Sequence, residues 1–193
     1  MTIVFASANE NKIAEIRSLL PENFEILSLS DIGCFEEIPE TAQTIEGNAI
    51  LKANFLTGKY NLNCFADDTG LEVESLDGAP GVYSARYAGP QKDADDNIQK
   101  LLAELKGTAN RRARFVTVIA LSLNGTQHLF TGIAKGVITE APRGNFGFGY
   151  DPVFVPDGES RTFAEMTMSE KAAFSHRAAA VRQLVDFLHT LNS

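Results

Sequence analysis

The sequence is poor in the residues and patterns that mark several classes of protein. It has only two cysteines, Cys34 and Cys64, in 193 residues. They are too few for a disulfide framework and lack metal-ligand spacing, so both are expected to be buried free thiols. No apolar run approaches the length of a membrane span. The first residues lack a basic segment and a long apolar stretch, so we expect no signal peptide and a cytoplasmic protein without a membrane partner.

Positive charge is also scarce. The chain has 17 Lys and Arg against 25 Asp and Glu, a formal net charge of −8. Because affinity for nucleic acid depends on cations that neutralise phosphates, this balance argues against a nucleic-acid partner. An anionic ligand must instead meet local positive charge, a helix N-terminus or a bound cation. The composition is that of a globular protein, and without repeats or linkers we predict one domain over residues 1–193.

Strand and helix patterns alternate in the first half of the chain, and longer strands follow. The predicted strands are residues 2–6, 24–29, 114–123 and 126–131, and the predicted helices are residues 13–20, 44–58 and 93–106. Gly58 is expected to end the second helix, and Asn124-Gly125 is a strong hairpin signal. Long antiparallel strands beside strand–helix alternation predict an α/β fold with a mixed sheet.

The most informative stretch is residues 64–74. A short apolar run is followed by Asp67 and Asp68, then by Thr69-Gly70, and residues 71–74 alternate apolar and charged. We predict a strand end, a turn and a second strand. Adjacent carboxylates at a strand tip suit Mg²⁺, which prefers carboxylate oxygens and binds substrate phosphates alongside. A solvated Asp-Asp turn is the alternative, because Asp favours turns.

Two lysines lie where they could meet a phosphate. Residues 7–12 join the first strand to the first helix, so backbone N–H groups and a helix N-terminus face the loop, and Lys12 adds a point charge. An ordinary capped helix with Lys12 in solvent is favoured from this segment alone, because no glycine-rich fingerprint is present. Lys52 falls between Leu51 and Ala53, where a lysine either snorkels to solvent or reaches a phosphate.

Two later segments could bind a flat ligand. Residues 143–152 interleave aromatics with glycine, which allows close backbone approach and supplies stacking faces. A β-bulge with core aromatics explains the same pattern equally well. The last helix begins either at the capping box of Thr167 or at Ser175. Only the second start places His176 and Arg177 in a first helical turn that faces a ligand.

These segments together resemble the inosine triphosphate pyrophosphatase family, whose members are also called dITP/XTP pyrophosphatases. The resemblance is carried by residues 7–12, 66–71, 78–87 and 148–152, with Glu170-Lys171 and Ser175-His176-Arg177 closing the chain. It covers essentially the full length. It implies an elongated mixed sheet with flanking helices that form two lobes around a central cleft, and a homodimer. The implied activity is Mg²⁺-dependent hydrolysis of ITP, dITP and XTP to the monophosphate and pyrophosphate.

The resemblance also implies roles for particular residues. The triphosphate loop would consist of Ser7, Ala8, Asn9, Glu10, Asn11 and Lys12. Asp68 would be general base and metal ligand, with Asp67 beside it and Lys52 as a further catalytic group. Glu40 would be the second metal ligand, although Glu37 remains possible. Thr69 stands where many relatives have serine, and the nucleoside pocket would consist of Phe148, Gly149, Tyr150, Asp151, Lys171, His176 and Arg177.

The physical chemistry of the reaction agrees with these roles. Attack of water on a phosphoryl group needs charge neutralisation on the phosphates and a base for the water. Asp67 and Asp68 are coupled like charges, so the acid–base role can belong to the pair. His176 and Arg177 are donors that match a 6-oxo purine and that the amino group of adenine cannot satisfy. A related enzyme for other modified nucleotides, and a nucleotide sensor without turnover, are the alternatives.

Overall fold

The computed structural model describes residues 2–22 and 24–191. Its strands are β1 (Thr2–Phe5), β2 (Glu25–Leu27), β3 (Cys64–Val73), β4 (Pro80–Gly81), β5 (Arg112–Leu123), β6 (Thr126–Ile138) and β7 (Phe154–Pro156). Its helices are α1 (Glu10–Leu19), α2 (Ile45–Tyr60), α3 (Ala94–Glu104), α4 (Met168–Ala172) and α5 (His176–Thr190). The predicted α/β class is therefore confirmed.

The strands form a mixed sheet in the order β2-β1-β3-β5-β6-β7, and β4 pairs with β3. Strand β1 runs parallel to β2 and to β3, as expected for strands joined through helices. Strand β4 is antiparallel to β3, and β7 is antiparallel to β6. Asn124 and Gly125 link β5 to β6 with φ values of 50° and 78°, which confirms the predicted hairpin turn.

The chain divides into two compact units. The first unit takes in the residues up to Asp68, Thr117–Gly132 and the residues from Arg177 onward. Its apolar core is built from β1, β2, α1 and α5 around the stacked rings of Phe5 and Phe65. That one domain spans the chain stays a prediction.

The second unit takes in Thr69–Val116 and Ile133–His176. Its core joins the buried side of α3 to a cluster of aromatic rings on β5 and β7 and in the short helical turn that follows. Phe115 contacts Phe154 edge to face at 4.7 Å between ring centroids, and Phe163 lies 5.1 Å from Phe154. The core is thus closed by aromatic packing rather than by aliphatic side chains alone.

The predicted turn at Asp67 and Asp68 is wrong. Both residues lie within β3, which continues from Cys64 to Val73 without a break. Both carboxylates are buried, at 1% and 8% exposure. Successive side chains of a strand point to opposite faces, and each carboxylate meets its own cations. Because their charges are compensated inside the protein, the chain does not have to turn to expose them to water.

Two predicted boundaries also change, and the open choice for the start of the last helix is resolved. Helix α2 passes through Gly58 to Tyr60, and Asn61 ends it in the left-handed conformation with φ 52°. Strand β2 covers only part of the predicted residues 24–29. Thr167 does cap a helix, α4, but α4 stops at Ala172 and α5 begins separately at His176. The start near Ser175 is therefore the correct alternative.

Cys34 and Cys64 are buried free thiols, as expected. Among the described residues, no helix combines the length and apolar character needed to cross a bilayer.

Candidate active site

Asp67 is held by two cations in the first unit. Lys12 Nζ donates to Asp67 Oδ1 at 2.9 Å, and Arg177 Nε donates to Asp67 Oδ2 at 3.1 Å. The Asp67 side chain is fully buried in these pairs. Burial by itself raises the pKa of Asp67, but Lys12, Arg177 and Lys52 outweigh it and hold the pKa well below its usual range. Asp67 is therefore a permanent anion with both oxygens occupied.

Asp68 points to a different set of partners. Lys52 Nζ, on α2, donates to Asp68 Oδ1 at 3.2 Å and to Glu40 Oε1 at 2.8 Å. Asn48, one turn earlier on the same helix, donates from Nδ2 to Asp68 Oδ2 at 3.3 Å. Its Oδ1 accepts the backbone N–H of Ala42 at 3.0 Å, which ties the loop before α2 to the site. Helix α2 thus carries two polar side chains toward β3 at a spacing of four residues.

The two neighbouring carboxylates have pKa values shifted in opposite directions. Burial raises the pKa of Asp68, and the attraction of Lys52 and Lys12 does not cancel that effect because Glu40 and Asp67 repel the anion. Burial lowers the pKa of Lys52, but Asp68, Asp67 and Glu40 outweigh it and the pKa lies above the usual value. Carboxylates whose pKa values are driven apart suit different roles, and Asp68 is the one able to accept a proton.

The loop before α1 is organised by its own side chains. Asn9 caps α1, and its Oδ1 accepts the backbone N–H groups of Asn11 at 3.0 Å and Lys12 at 3.2 Å. Ser7 Oγ accepts the N–H of Asn9 at 3.2 Å. Residues 8–11 are exposed while Lys12 is half-buried. The prediction of an ordinary capped helix is therefore correct for the backbone, but Lys12 points into the site instead of solvent.

The second unit holds a separate polar cluster around Asp151. This carboxylate is 2% exposed, and its Oδ2 accepts the N–H of Phe148 at 2.9 Å and Lys171 Nζ at 2.6 Å. The Lys171 ammonium lies 5.1 Å from the centre of the Phe148 ring, within range of a cation–π contact. Gly147 has φ 73°, and a Cβ there would collide with Asp151 Oδ2. Asp151 thus shapes the loop that carries Phe148.

The other predicted nucleoside-pocket residues of this unit lie in different surroundings. His176 is 3% exposed and stacks on Phe115 at 4.5 Å between ring centroids. Tyr150 belongs to the core, and its hydroxyl donates to the Ser84 carbonyl at 2.8 Å. Its ring is not available for stacking. Gly149 has φ 61° and Thr69 is half-buried in β3.

Comparison with known proteins then identifies the family. The Ham1 family model matches residues 3–187. This chain belongs to the Ham1 family. It is 64% identical to a dITP/XTP pyrophosphatase of Flavobacterium psychrophilum, with 97% of this chain and 98% of the relative covered. It is 45% identical to one of Bacillus subtilis, with 96% of each covered. The structure of the Staphylococcus aureus Ham1 protein superposes with a TM-score of 0.89 at 39% identity, covering 98% of this chain and 99% of that one.

Membership of the Ham1 family, with relatives named dITP/XTP pyrophosphatase, confirms the resemblance found in the sequence. The roles of individual residues stay predictions. In this Ham1-family chain the structure brings together Lys12, Lys52, Asp67 and Asp68 with Glu40 in the first unit. Glu37, the alternative to Glu40, lies on the exposed part of the loop, so the geometry favours Glu40. Phe148, Asp151 and Lys171 cluster in the second unit. Arg177 was predicted to face the nucleoside, but its guanidinium lies between two carboxylates of the first unit.

Two residues of the Ham1-family site were missed. Asn48 and Glu15 are both buried and both contact predicted site residues. Each carries a sequence signal. Asn48 falls four residues before Lys52 along the apolar side of α2, and Glu15 falls between Ile13 and Ile16 on the buried side of α1. A polar residue within a helix's apolar stripe needs a buried partner, and that partner is a candidate functional group.

Proposed function

We propose that this protein hydrolyses ITP, dITP and XTP to the monophosphate and pyrophosphate. Family membership and the names of relatives that are 64% and 45% identical over nearly the full length support this activity. The single structural observation that carries it is the cluster of Lys12, Lys52, Asp67 and Asp68. The half-buried ammonium of Lys12 and the buried ammonium of Lys52, beside two carboxylates, would combine phosphate neutralisation with a proton acceptor.

We further propose that the enzyme uses Mg²⁺. Glu40 and Asp68 fit such an ion because one ammonium, that of Lys52, already lies within hydrogen-bond distance of both carboxylates. Among the described residues, no group of three or more His, Cys, Asp or Glu side chains forms a metal site. Two carboxylates suffice for Mg²⁺, which takes its other ligands from water and substrate phosphates. When bound, the ion would supply charge neutralisation on the phosphate oxygens.

The chain's own residues account for the proton and the phosphate charge. Asp68, whose pKa burial raises, accepts the proton of the attacking water. Lys52 and Lys12 would face the phosphate oxygens, and the loop of residues 7–12, exposed at residues 8–11, would offer the N-terminus of α1 to the same group. Asp67 stays ionised and holds Lys12 in place. Asp68 would thus take part in the chemical step, whereas Asp67 would position Lys12.

We propose that the purine base binds in the second unit. Phe148 offers a partly exposed ring for stacking, held by Asp151 through its backbone N–H. Lys171 and His176 supply polar hydrogens next to aromatic rings. A 6-oxo group accepts hydrogen bonds where adenine would present a donor, so adenine would leave buried donors unpaired. Guanine shares the 6-oxo group, and its rejection requires crowding or a missing acceptor near the 2-amino group.

Two broader properties are proposed from family membership. A homodimer and a cytoplasmic location are typical of the family that the sequence resembles. The two free, buried thiols agree with a reducing compartment. Light scattering on the purified protein tests the dimer, since a mass near 21.0 kDa would be that of a monomer.

Product analysis tests the activity. The protein is incubated with ITP, XTP, ATP, GTP or a modified pyrimidine nucleoside triphosphate, with magnesium or with chelator, and the products are separated. Pyrophosphate with IMP or XMP, little turnover of ATP and GTP, and loss in Asp68→Asn are expected. Release of orthophosphate would mean that the wrong phosphate is attacked. Tight binding without turnover would establish a sensor, and a preference for modified pyrimidines would establish a related enzyme.

A further inference from the structure

Thr162 is a buried polar residue that belongs to none of the motifs of the candidate site. It precedes the short helical turn Phe163–Glu165 in the second unit and is 0% exposed. A buried hydroxyl is costly unless it is hydrogen-bonded. Thr162 Oγ1 donates to the backbone carbonyl of Arg143 at 2.8 Å, and the Thr162 N–H donates to Glu165 Oε2 at 2.8 Å. Thr162 thus joins its own turn to a loop 19 positions earlier in the chain.

That loop, residues 143–149, contacts the same turn at further points. The carbonyl of Ala164 accepts the N–H groups of Asn145 at 3.0 Å and Phe146 at 2.9 Å. Gly144 has φ 85°, and a Cβ there would lie 2.2 Å from the same carbonyl oxygen. The loop backbone therefore lies directly against the turn, with no room for a side chain between them.

The proposed base-stacking residue lies near the end of this loop. Phe148 is held by Asp151, whose Oδ2 accepts its N–H and also accepts Lys171 Nζ. Lys171 Nζ lies 5.1 Å from the ring centre of Phe148 and 5.3 Å from that of Phe163, which is buried. Residues 162–171 thus support the loop at two places, because the turn contacts its first part and Lys171 contacts its last part.

We propose that Thr162 is a positioning residue for the purine base, acting through the Arg143 carbonyl on the loop that carries Phe148; this inference rests on the function proposed above. Three glycines of the loop have positive φ, and glycine loses more backbone freedom on ordering than any other residue. Contacts that order the loop before the ligand arrives therefore remove part of the cost of binding. Because Thr162 is fully buried, it acts on the base through the loop and not by contact.

The position of Thr162 predicts a defect at one end of the substrate only. Its contacts with the loop lie in the second unit, whereas Lys12 and Lys52 belong to the first. Loss of the Thr162 hydroxyl should therefore weaken ligands that contain the base and leave the binding of a phosphate chain unchanged. A residue needed only for stability would lower the free energy of unfolding without changing which ligands bind.

The test compares Thr162→Val and Thr162→Ser with the wild type. Valine keeps the shape of threonine but cannot donate to the Arg143 carbonyl, whereas serine retains the hydroxyl. We measure kcat and KM for ITP, and the affinities for IMP and for inorganic tripolyphosphate by calorimetry. Thr162→Val should raise KM for ITP and weaken IMP binding by about 10-fold each, the scale expected for one buried hydrogen bond. Its kcat and its tripolyphosphate affinity should stay unchanged, and Thr162→Ser should behave like the wild type.

A matched control and a second variant protect the test. Thr190 Oγ1 donates to the Phe187 carbonyl at 2.6 Å on the exposed side of α5, in the first unit. Thr190→Val therefore removes the same kind of hydrogen bond and should change none of the constants. If Thr162→Val does not fold, Gly144→Ala disturbs the same contact from the loop side, because its Cβ would collide with the Ala164 carbonyl. It should give the same selective loss.

Two results would overturn the proposal. One is an unchanged affinity of Thr162→Val for IMP. The other is an equal loss for IMP and tripolyphosphate, which would indicate a general disturbance of the fold. Binding of IMP requires no turnover, so the two proposals can fail separately. A wild type that binds IMP without hydrolysing ITP would contradict the proposed hydrolysis, and the comparison with Thr162→Val would still decide this inference.

Discussion

Replacing Lys52 by methionine removes the cation shared by Asp68 and Glu40. The ammonium is 2.8 Å from Glu40 and 3.2 Å from Asp68, and the residue is 6% exposed. At an effective dielectric constant of about 20, each attraction is worth about 5 kcal/mol before desolvation is subtracted. Removing one partner of a buried pair typically costs about 3–5 kcal/mol. We therefore expect the free energy of unfolding to fall by about 3 kcal/mol near pH 8.

The penalty in Lys52→Met should shrink as the pH falls. Burial raises the pKa of Asp68 even with Lys52 present, and removing a neighbouring cation raises it further. A carboxyl whose pKa is higher in the folded than in the unfolded state binds protons on folding. The free energy of unfolding of Lys52→Met should therefore rise as the pH falls, because the pKa of Asp68 is raised most in this variant. Near pH 5, protonation of Asp68 should remove much of its repulsion with Glu40.

Urea denaturation of both proteins near pH 8 and near pH 5, without divalent ions, measures this difference. Lys59→Met is the matched control, because Lys59 lies on the same helix and pairs with Glu36 but is exposed. Its effect should stay within about 0.5 kcal/mol at both pH values. An equal penalty for Lys52→Met at both pH values would refute the argument from carboxylate repulsion.

Three further predictions follow from the buried carboxylates. Gly147→Ala should raise KM for ITP more than it lowers kcat, because its Cβ would collide with Asp151 and displace the loop that carries Phe148, the proposed stacking residue; equal effects would contradict this. Lys171→Met should lower the free energy of unfolding by about 3 kcal/mol in urea, and Asp151→Asn in the same chain should restore part of it. Asp67 has a lowered pKa, so its ionised carboxylate stabilises the folded state above the usual pKa of 3.8, and this stabilisation is lost as the pH falls below that value. The free energy of unfolding of Asp67→Asn in acid should therefore depend less on pH than that of the wild type.

The local sequence patterns were sufficient to predict most of the helices and strands. Helices α1 and α3 and the hairpin of β5 and β6 are present where spacing, caps and turn residues predicted them. The failures have separate causes. Asp67 and Asp68 look like a turn because isolated carboxylates prefer water, but their buried ion pairs outweighed that preference. Gly58 looks like a helix end because glycine often is one, but Gly58 is exposed and Asn61 takes the left-handed conformation that ends the helix.

In the candidate site, too, the sequence predicted some features and missed others. Motifs predicted Lys12, Lys52, Asp67 and Asp68, which the structure does bring together. They did not predict that the two carboxylates point to opposite faces, because a continuous strand through them was not foreseen.

The sequence by itself determined the α/β class and the family, since these depend on residue order and local spacing. Only the tertiary structure decided which charges pair. Glu15 and Arg177 are 162 positions apart, and Asp67 and Arg177 are 110 apart. Contacts across such separations depend on how α1 and α5 pack against β3, which no local window contains. Those pairs hold the pKa of Asp67 below its usual range, whereas burial raises the pKa of Asp68.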